Sequence, residues 1–241
     1  MDPIADMLAF RYRPAAELRV VRTPKDAARL ARDWYRSAAY RRRGARPLLK
    51  DPIALFSSEW LCDTFDMDVV VLIRHPAAFV HSLVNRGWTH PFDHFLKQPL
   101  LMRDLRAPFA VEIERFAAEP QPITDQAILL WNVLHETILR YRQRRPNWLF
   151  LRLEDIAHDP EDSFRHMYAN LGLNFDEHAA NTIASHSDST NPSEEPDPSS
   201  IKRDSKASVL TWKARLSPEE ITRIRVKVEP VAVEFYSDAD W

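Results

Sequence analysis

The run Val69-Val70-Val71-Leu72-Ile73 stops at Arg74-His75-Pro76, and this junction constrains the fold more than any other stretch of the chain. Aliphatic residues in unbroken succession read as a strand buried on both faces, which is the mark of a parallel sheet. Pro76 suits the first turn of a helix, where its missing N–H is not needed. The strand therefore turns straight into a helix. Arg74 is left at the strand's carboxyl edge, where open α/β sheets bind ligands. Ser82 follows eight residues after Arg74, about two turns into that helix. A guanidinium offers a bidentate fork and a hydroxyl adds a donor, so the pair suits an anion such as a phosphate monoester.

Two other segments repeat the pattern. Arg46-Pro47-Leu48-Leu49-Lys50-Asp51-Pro52 reads as a short strand ending in charge, and Trp148 to Asp155 as a buried strand ending at Glu154 and Asp155. Leu18-Arg19-Val20-Val21 is a weaker candidate strand. Helices fill the intervals. Thr23, Pro24 and Asp26 start one that Gly44 stops, and Ile53 to Phe65 forms another anchored by Leu55, Trp60 and Leu61. Ile123 to Arg145 is strongly amphipathic, with Ile128, Trp131, Leu134, Ile138 and Tyr141 on adjoining turns. Asp159-Pro160 opens a helix ended by Gly172, a second covers 176–186, and Ser217-Pro218-Glu219-Glu220 opens a last one through about residue 234. The proline-broken stretch 89–122 reads as an insertion of the kind that builds a pocket or lid. Residues 187–208, polar and rich in Pro and Ser, read as a long mobile loop. Alternating strands and helices predict an α/β fold with a parallel sheet flanked by helices, as a single domain over 1–241.

Composition narrows the chemistry. The chain has 241 residues and 45% hydrophobic content, enough for one sizeable core. Its three glycines, Gly44, Gly87 and Gly172, lie far apart, so no Walker loop or GxGxxG can be written. A phosphate site must then rely on side chains and helix N-termini. A net charge of −2 gives no global reason to expect nucleic acid. No apolar run approaches the roughly 20 residues that span a membrane. The acidic start argues against a signal peptide. The lone Cys62 permits no internal disulfide and fits a reducing cytoplasm. The histidines lack metal spacing, so no metal is expected. The arginine runs 41–43 and 140–145 sit at helix C-termini, where cations complement the dipole.

Four blocks, in order, resemble the sulfotransferases that use 3′-phosphoadenosine 5′-phosphosulfate (PAPS). Leu48 to Pro52 resembles the strand ending in a lysine near the transferred sulfuryl group. Arg74-His75-Pro76 with Ser82 resembles the 3′-phosphate-binding segment. Leu151-Arg152-Leu153-Glu154-Asp155-Ile156, with Asp159-Pro160 and Leu171-Gly172-Leu173, resembles the family's later strand and helix. Lys206 through Trp212-Lys213-Ala214-Arg215-Leu216-Ser217-Pro218-Glu219 resembles the segment that closes over the nucleotide. The resemblance implies a P-loop-NTPase-like sheet and PAPS as co-substrate, with transfer to a hydroxyl or amine on a small-molecule or carbohydrate acceptor.

In that reading Lys50 steadies the leaving oxygen. Arg74 and Ser82 bind the 3′-phosphate. Arg203 and Lys206 fold over the nucleotide, with Trp212 as their packing anchor. Asp51, Glu59, His90 and His94 are the candidate bases, since hydroxyl activation wants a carboxylate or imidazole in reach. The family's usual histidine two residues after the lysine is here Pro52. Residues 1–45 contain no Gly/Ser/Thr-rich 5′-phosphosulfate loop between a strand and a helix, so that unit of the fold is expected to be missing. Three functions stay open: a transferase, a relative that binds adenosine 3′,5′-bisphosphate without catalysis, and a small-molecule kinase of related architecture. The missing Walker loop disfavours the third.

Overall fold

The computed structural model describes residues 2–51, 53–105, 107–194 and 201–241. They fall into two compact units, divided after Asp66, a boundary that composition does not mark.

The first unit is helical. Its α-helices are α1 (Pro3–Leu8), α2 (Pro14–Glu17), α3 (Pro24–Arg42) and α4 (Ser58–Phe65). Helix α3 begins where expected because Thr23 and Asp26 form a reciprocal capping box around Pro24. Gly44 follows its end at φ +60°, which suits a residue with no Cβ. Two strand expectations fail here. Leu18–Val20 is a 3₁₀ turn. Arg46 to Asp51 has no regular structure, Pro52 lies outside the described residues, and Leu48 is 88% exposed. A strand needs a neighbour for its N–H and C=O groups, and Pro47 lacks an N–H to offer. The 53–65 helix is in fact a 3₁₀ segment, Ile53–Ser57, leading into α4. Leu61 is buried, but the expected anchor Trp60 is largely exposed.

The second unit carries the sheet. In order it contains β1 (Val70–Ile73), α5 (Pro76–Asn85), α6 (Asp93–Leu96), α7 (Pro99–Asp104), α8 (Ala107–Ala118), α9 (Ile123–Arg144), β2 (Leu149–Arg152), α10 (Leu153–His158), α11 (Pro160–Asn170), α12 (Glu177–Ser187), α13 (Ser205–Ser208), α14 (Thr211–Arg215) and α15 (Pro218–Ala232). The two strands pair in parallel, from Val70 opposite Leu149 to Ile73 opposite Arg152. The protein is thus α/β and mostly helical, with a two-stranded parallel sheet among the described residues where three strands were expected. Strand β2 also ends earlier than the sequence suggests. Leu153, Glu154 and Asp155 already belong to α10.

Helix α9 is the axis of this unit, burying Ile128, Leu129, Trp131, Val133 and Ile138 along its length. It packs on α5 and α15. Helix α5 permits close approach because Ala77 and Ala78, two small residues, lie buried in its first turn. Helix α15 contributes Ile224, Val228 and Val231, and Pro230 inside it removes one intrahelical hydrogen bond near its end. Asp125, at the start of α9, receives Arg223 at 2.7 Å and Lys227 at 2.7 Å from α15, fixing the two helices in register.

Candidate functional site

Arg74 and His75 occupy the short link between β1 and α5. Pro76 is the first residue of the helix, as the sequence implied. The link is held from three sides. The Arg74 carbonyl accepts the indole N–H of Trp131 at 2.9 Å. The His75 backbone N–H donates to Glu154 Oε1 at 2.9 Å. The other oxygen of Glu154 accepts the Tyr236 hydroxyl at 3.0 Å. Burial, reinforced by the Glu154 charge, pushes the Tyr236 pKa far up, so the phenol keeps its proton and remains the donor.

The side chains of the link differ sharply. The His75 ring is 2% exposed and stacks on Trp212, with centroids 4.6 Å apart and planes 9° from parallel. Tyr236 and Trp241 meet it edge-on at 4.8 Å and 4.5 Å. Neither ring nitrogen has a hydrogen-bond partner among the described residues. Desolvation accordingly pushes the His75 pKa down to about 3. The imidazole is a neutral wedge clamped by aromatic rings.

The Arg74 side chain is half-buried and forms no hydrogen bond or ion pair among the described residues. Burial lowers its pKa, while the nearby Glu154 carboxylate opposes that. A guanidinium stays protonated in such surroundings. It is therefore a fixed cation, half shielded from water, with its fork uncommitted. Ser82 is half-buried on the helix that follows, and no hydrogen bond occupies its hydroxyl among the described residues.

The other predicted residues are placed as follows. Trp212, read from the sequence as a packing anchor, is fully buried and stacked against His75. Arg203 is half-buried; its N–H donates to the His186 carbonyl at 2.9 Å and its guanidinium to the Lys202 carbonyl at 2.8 Å. Lys206 is exposed on α13. His90 donates its backbone N–H to Gln126 Oε1 at 2.9 Å, and its ring meets Phe92 and Phe95 edge-on. Burial, then the neighbouring His94, lowers its pKa. His94 itself is exposed on α6. Lys50, Asp51 and Glu59 belong to the first unit: Lys50 and Asp51 are exposed in the irregular 45–51 stretch, and Glu59 is half-buried on α4. Of the candidates, the second unit thus brings Arg74, the Ser82 helix and the Trp212 segment to one end of β1.

Glu154, Tyr236 and Trp241 were not singled out for this end of the sheet. The only sequence signal was the acidic pair closing the second strand. One consequence is measurable. Glu154→Ala leaves the His75 N–H and the Tyr236 hydroxyl without an acceptor, and is expected to cost on the order of 3 kcal/mol in urea unfolding. Glu154→Gln retains an oxygen for His75 and is expected to cost about 1 kcal/mol. Equal losses in the two variants would show that the hydrogen bonds are not what holds the link.

Beyond this end lies a cavity of about 360 Å³ lined by Ile73, Arg152, Asp155, Ser163, His166 and Phe235, among others. Of its two guanidinium groups, Arg152 is committed to Asp240 at 2.6 Å and to the Phe235 carbonyl at 3.1 Å, and Arg142 donates to the Glu234 carbonyl at 3.2 Å. No described group of three or more His, Cys, Asp or Glu residues is arranged to hold a metal ion. No helix among the described residues is long and apolar enough to cross a membrane. Comparison with protein-family models, curated proteins and solved structures finds no match.

Proposed function

We propose that the chain is a sulfotransferase-like protein that binds the 3′-phosphate of an adenosine 3′-phosphate nucleotide at Arg74 and Ser82. PAPS is the co-substrate of this reading, and the product of transfer is a sulfated hydroxyl or amine. The observation that supports it is the uncommitted, half-buried guanidinium of Arg74 at the carboxyl end of a parallel strand, with the Ser82 helix beginning two residues later. The two-stranded parallel sheet is, in this reading, part of a P-loop-NTPase-like arrangement.

Sulfuryl transfer is in-line displacement and rests on positioning and cationic stabilisation more than on covalent chemistry. Arg74 supplies orientation by gripping a remote phosphate, and His90, in the same unit, is the candidate base.

A second reading has a specific observation in its favour. Strand β1 pairs directly with β2, and residues 2–51 contain no strand leading into a phosphate-binding loop. A protein that binds adenosine 3′,5′-bisphosphate without transferring sulfate fits that arrangement.

Thermal unfolding separates the possibilities. Adenosine 3′,5′-bisphosphate is expected to raise Tm by several degrees more than AMP does, since a ligand at about a hundredfold its Kd adds about 2.7 kcal/mol. Arg74→Ala is expected to abolish the difference, with the AMP response unchanged. Equal shifts with both nucleotides would overturn the 3′-phosphate site. With binding established, release of adenosine 3′,5′-bisphosphate from PAPS in the presence of an acceptor distinguishes the transferase from the binder.

A further inference from the structure

The net charge of −2 conceals an uneven distribution. Residues 1–50 carry thirteen Lys and Arg against five Asp and Glu, and the remainder of the chain is acidic. Helix α3 concentrates this charge. With about 3.6 residues per turn, Ala27, Ala31, Trp34, Tyr35 and Ala38 fall on one stripe. Lys25, Arg29, Arg32, Arg36 and Arg43 fall on a stripe on the far side of the helix, and in the last turn Arg41 and Arg42 border the apolar stripe. No residue of this helix is buried; Trp34 is 53% exposed and Tyr35 70%. Arg29 and Arg32 reach Asp26 and Asp33, but Lys25, Arg36, Arg41, Arg42 and Arg43 have no ion pair among the described residues.

The unit around α3 has almost no interior. Leu61 alone is buried among its described residues, while Leu18, Val20, Leu48 and Trp60 stand more than half exposed. So little apolar burial does not offset the entropy of ordering such a segment. A surface that takes up both the apolar groups and the cations would.

We propose that the α3 face docks on an anionic phospholipid surface. The arginines would meet lipid phosphates, for which the guanidinium fork is suited. Trp34 and Tyr35 would sit at headgroup level, where amphipathic rings are favoured. Along residues 24–38 the helix separates an apolar stripe from a cationic one, which argues against nucleic acid. A single strand is gripped by rings and cations interleaved along one groove, whereas an interfacial helix keeps them on separate faces.

The test uses the full chain and flotation with vesicles of phosphatidylcholine alone or phosphatidylcholine with phosphatidylserine. Binding is expected only with phosphatidylserine and is expected to fall steeply with added salt. Reversing three unpaired cations (R36E, R42E, R43E) is expected to weaken it roughly a hundredfold, since each contributes about fivefold near a charged membrane. The exposed pair W34A and Y35A is expected to weaken it roughly tenfold. All these side chains are exposed, so far-UV circular dichroism is expected to be unchanged. Equal binding to neutral vesicles, no binding to either, or vesicle binding unmoved by the charge reversals would each overturn the proposal. Binding of single-stranded RNA without vesicle binding would overturn it in favour of nucleic acid. Self-association lost in the triple variant, without vesicle binding, would assign the face to a second copy.

Discussion

Trp131→Ala is expected to destabilise the second unit by on the order of 4 kcal/mol, the range for emptying a fully buried aromatic site. Trp131 is 0% exposed in the middle of α9. It performs two tasks at once. Its six-membered and five-membered rings fill the space between α9 and its neighbours, with the His135 imidazole stacked at 3.8 Å. Its indole N–H satisfies the Arg74 carbonyl in the short link between β1 and α5. Alanine leaves a cavity and an orphaned carbonyl together. Trp131→Phe keeps most of the packing and loses only the hydrogen bond, so about 1 to 2 kcal/mol is expected. Urea unfolding followed by circular dichroism at pH 7.5 measures both. Since domains of this size are stable by about 5–15 kcal/mol, the alanine variant should remain folded but lose much of its margin. A loss below about 1 kcal/mol in Trp131→Ala would show that the site collapses freely and that α9 is not the rigid axis described above.

The second large effect is acid lability. His75 and His135 are both buried, and desolvation pushes each pKa down to about 3 from an unfolded value of 6.5. Around His75, Asp240 favours the proton while Lys213 and Arg152 oppose it. Around His135, the Trp131 carbonyl, in contact with Nδ1 at 2.8 Å, favours it. Burial dominates at both.

The sign follows from linkage. Below pH 6.5 the unfolded chain takes up protons that the folded chain refuses, so stability falls as pH falls, down to about pH 3. Each histidine removes up to about 1.4 kcal/mol per pH unit in that window, and together they remove about 4 kcal/mol by pH 5. Stability is therefore expected to be flat from pH 8 to 7 and to drop steeply between pH 6 and 4. Asp125 acts in a lower window. Burial alone would raise its pKa, but the Lys227 hydrogen bond and the charges of Lys227 and Arg223 hold it below the ordinary value. Its contribution is present above pH 4 and is lost as it takes up a proton below that.

The informative variant is His135→Phe, which is expected to halve the slope between pH 6 and 4 whatever its effect at pH 7. Proton NMR provides a check independent of any substitution. The His75 and His135 ring resonances should show no titration in the folded protein above pH 4. Ordinary titration near pH 6.5 would show that both rings are hydrated.

Much of the local structure was legible because caps and turns are decided within a few residues. Thr23, Pro24 and Asp26 start α3, Asp159 and Pro160 start α11, and Ser217, Pro218 and Glu220 start α15, each through a side chain bonded to a backbone N–H in the first turn. Arg74 at a strand end and Ser82 on the helix after it were read on the same basis. The stretch from Arg46 to Asp51 shows the limit. Its leucines resemble the valines of β1 in hydrophobicity, but a strand exists only where another lies beside it, and propensity does not supply that partner.

The sequence by itself determined where helices begin, where the apolar run of β1 stops, and that a cation stands at its end, because each depends on chemistry within one turn of chain. The tertiary structure decided which apolar runs became strands. It also decided that Glu154 and Tyr236 hold the link at His75, and that Trp212 and Trp241 wall in its ring while the Arg74 fork stays uncommitted. Those contacts join residues far apart in the chain. Their partners are selected by packing, in which burial of one group removes water from the next, and no local pattern encodes that choice.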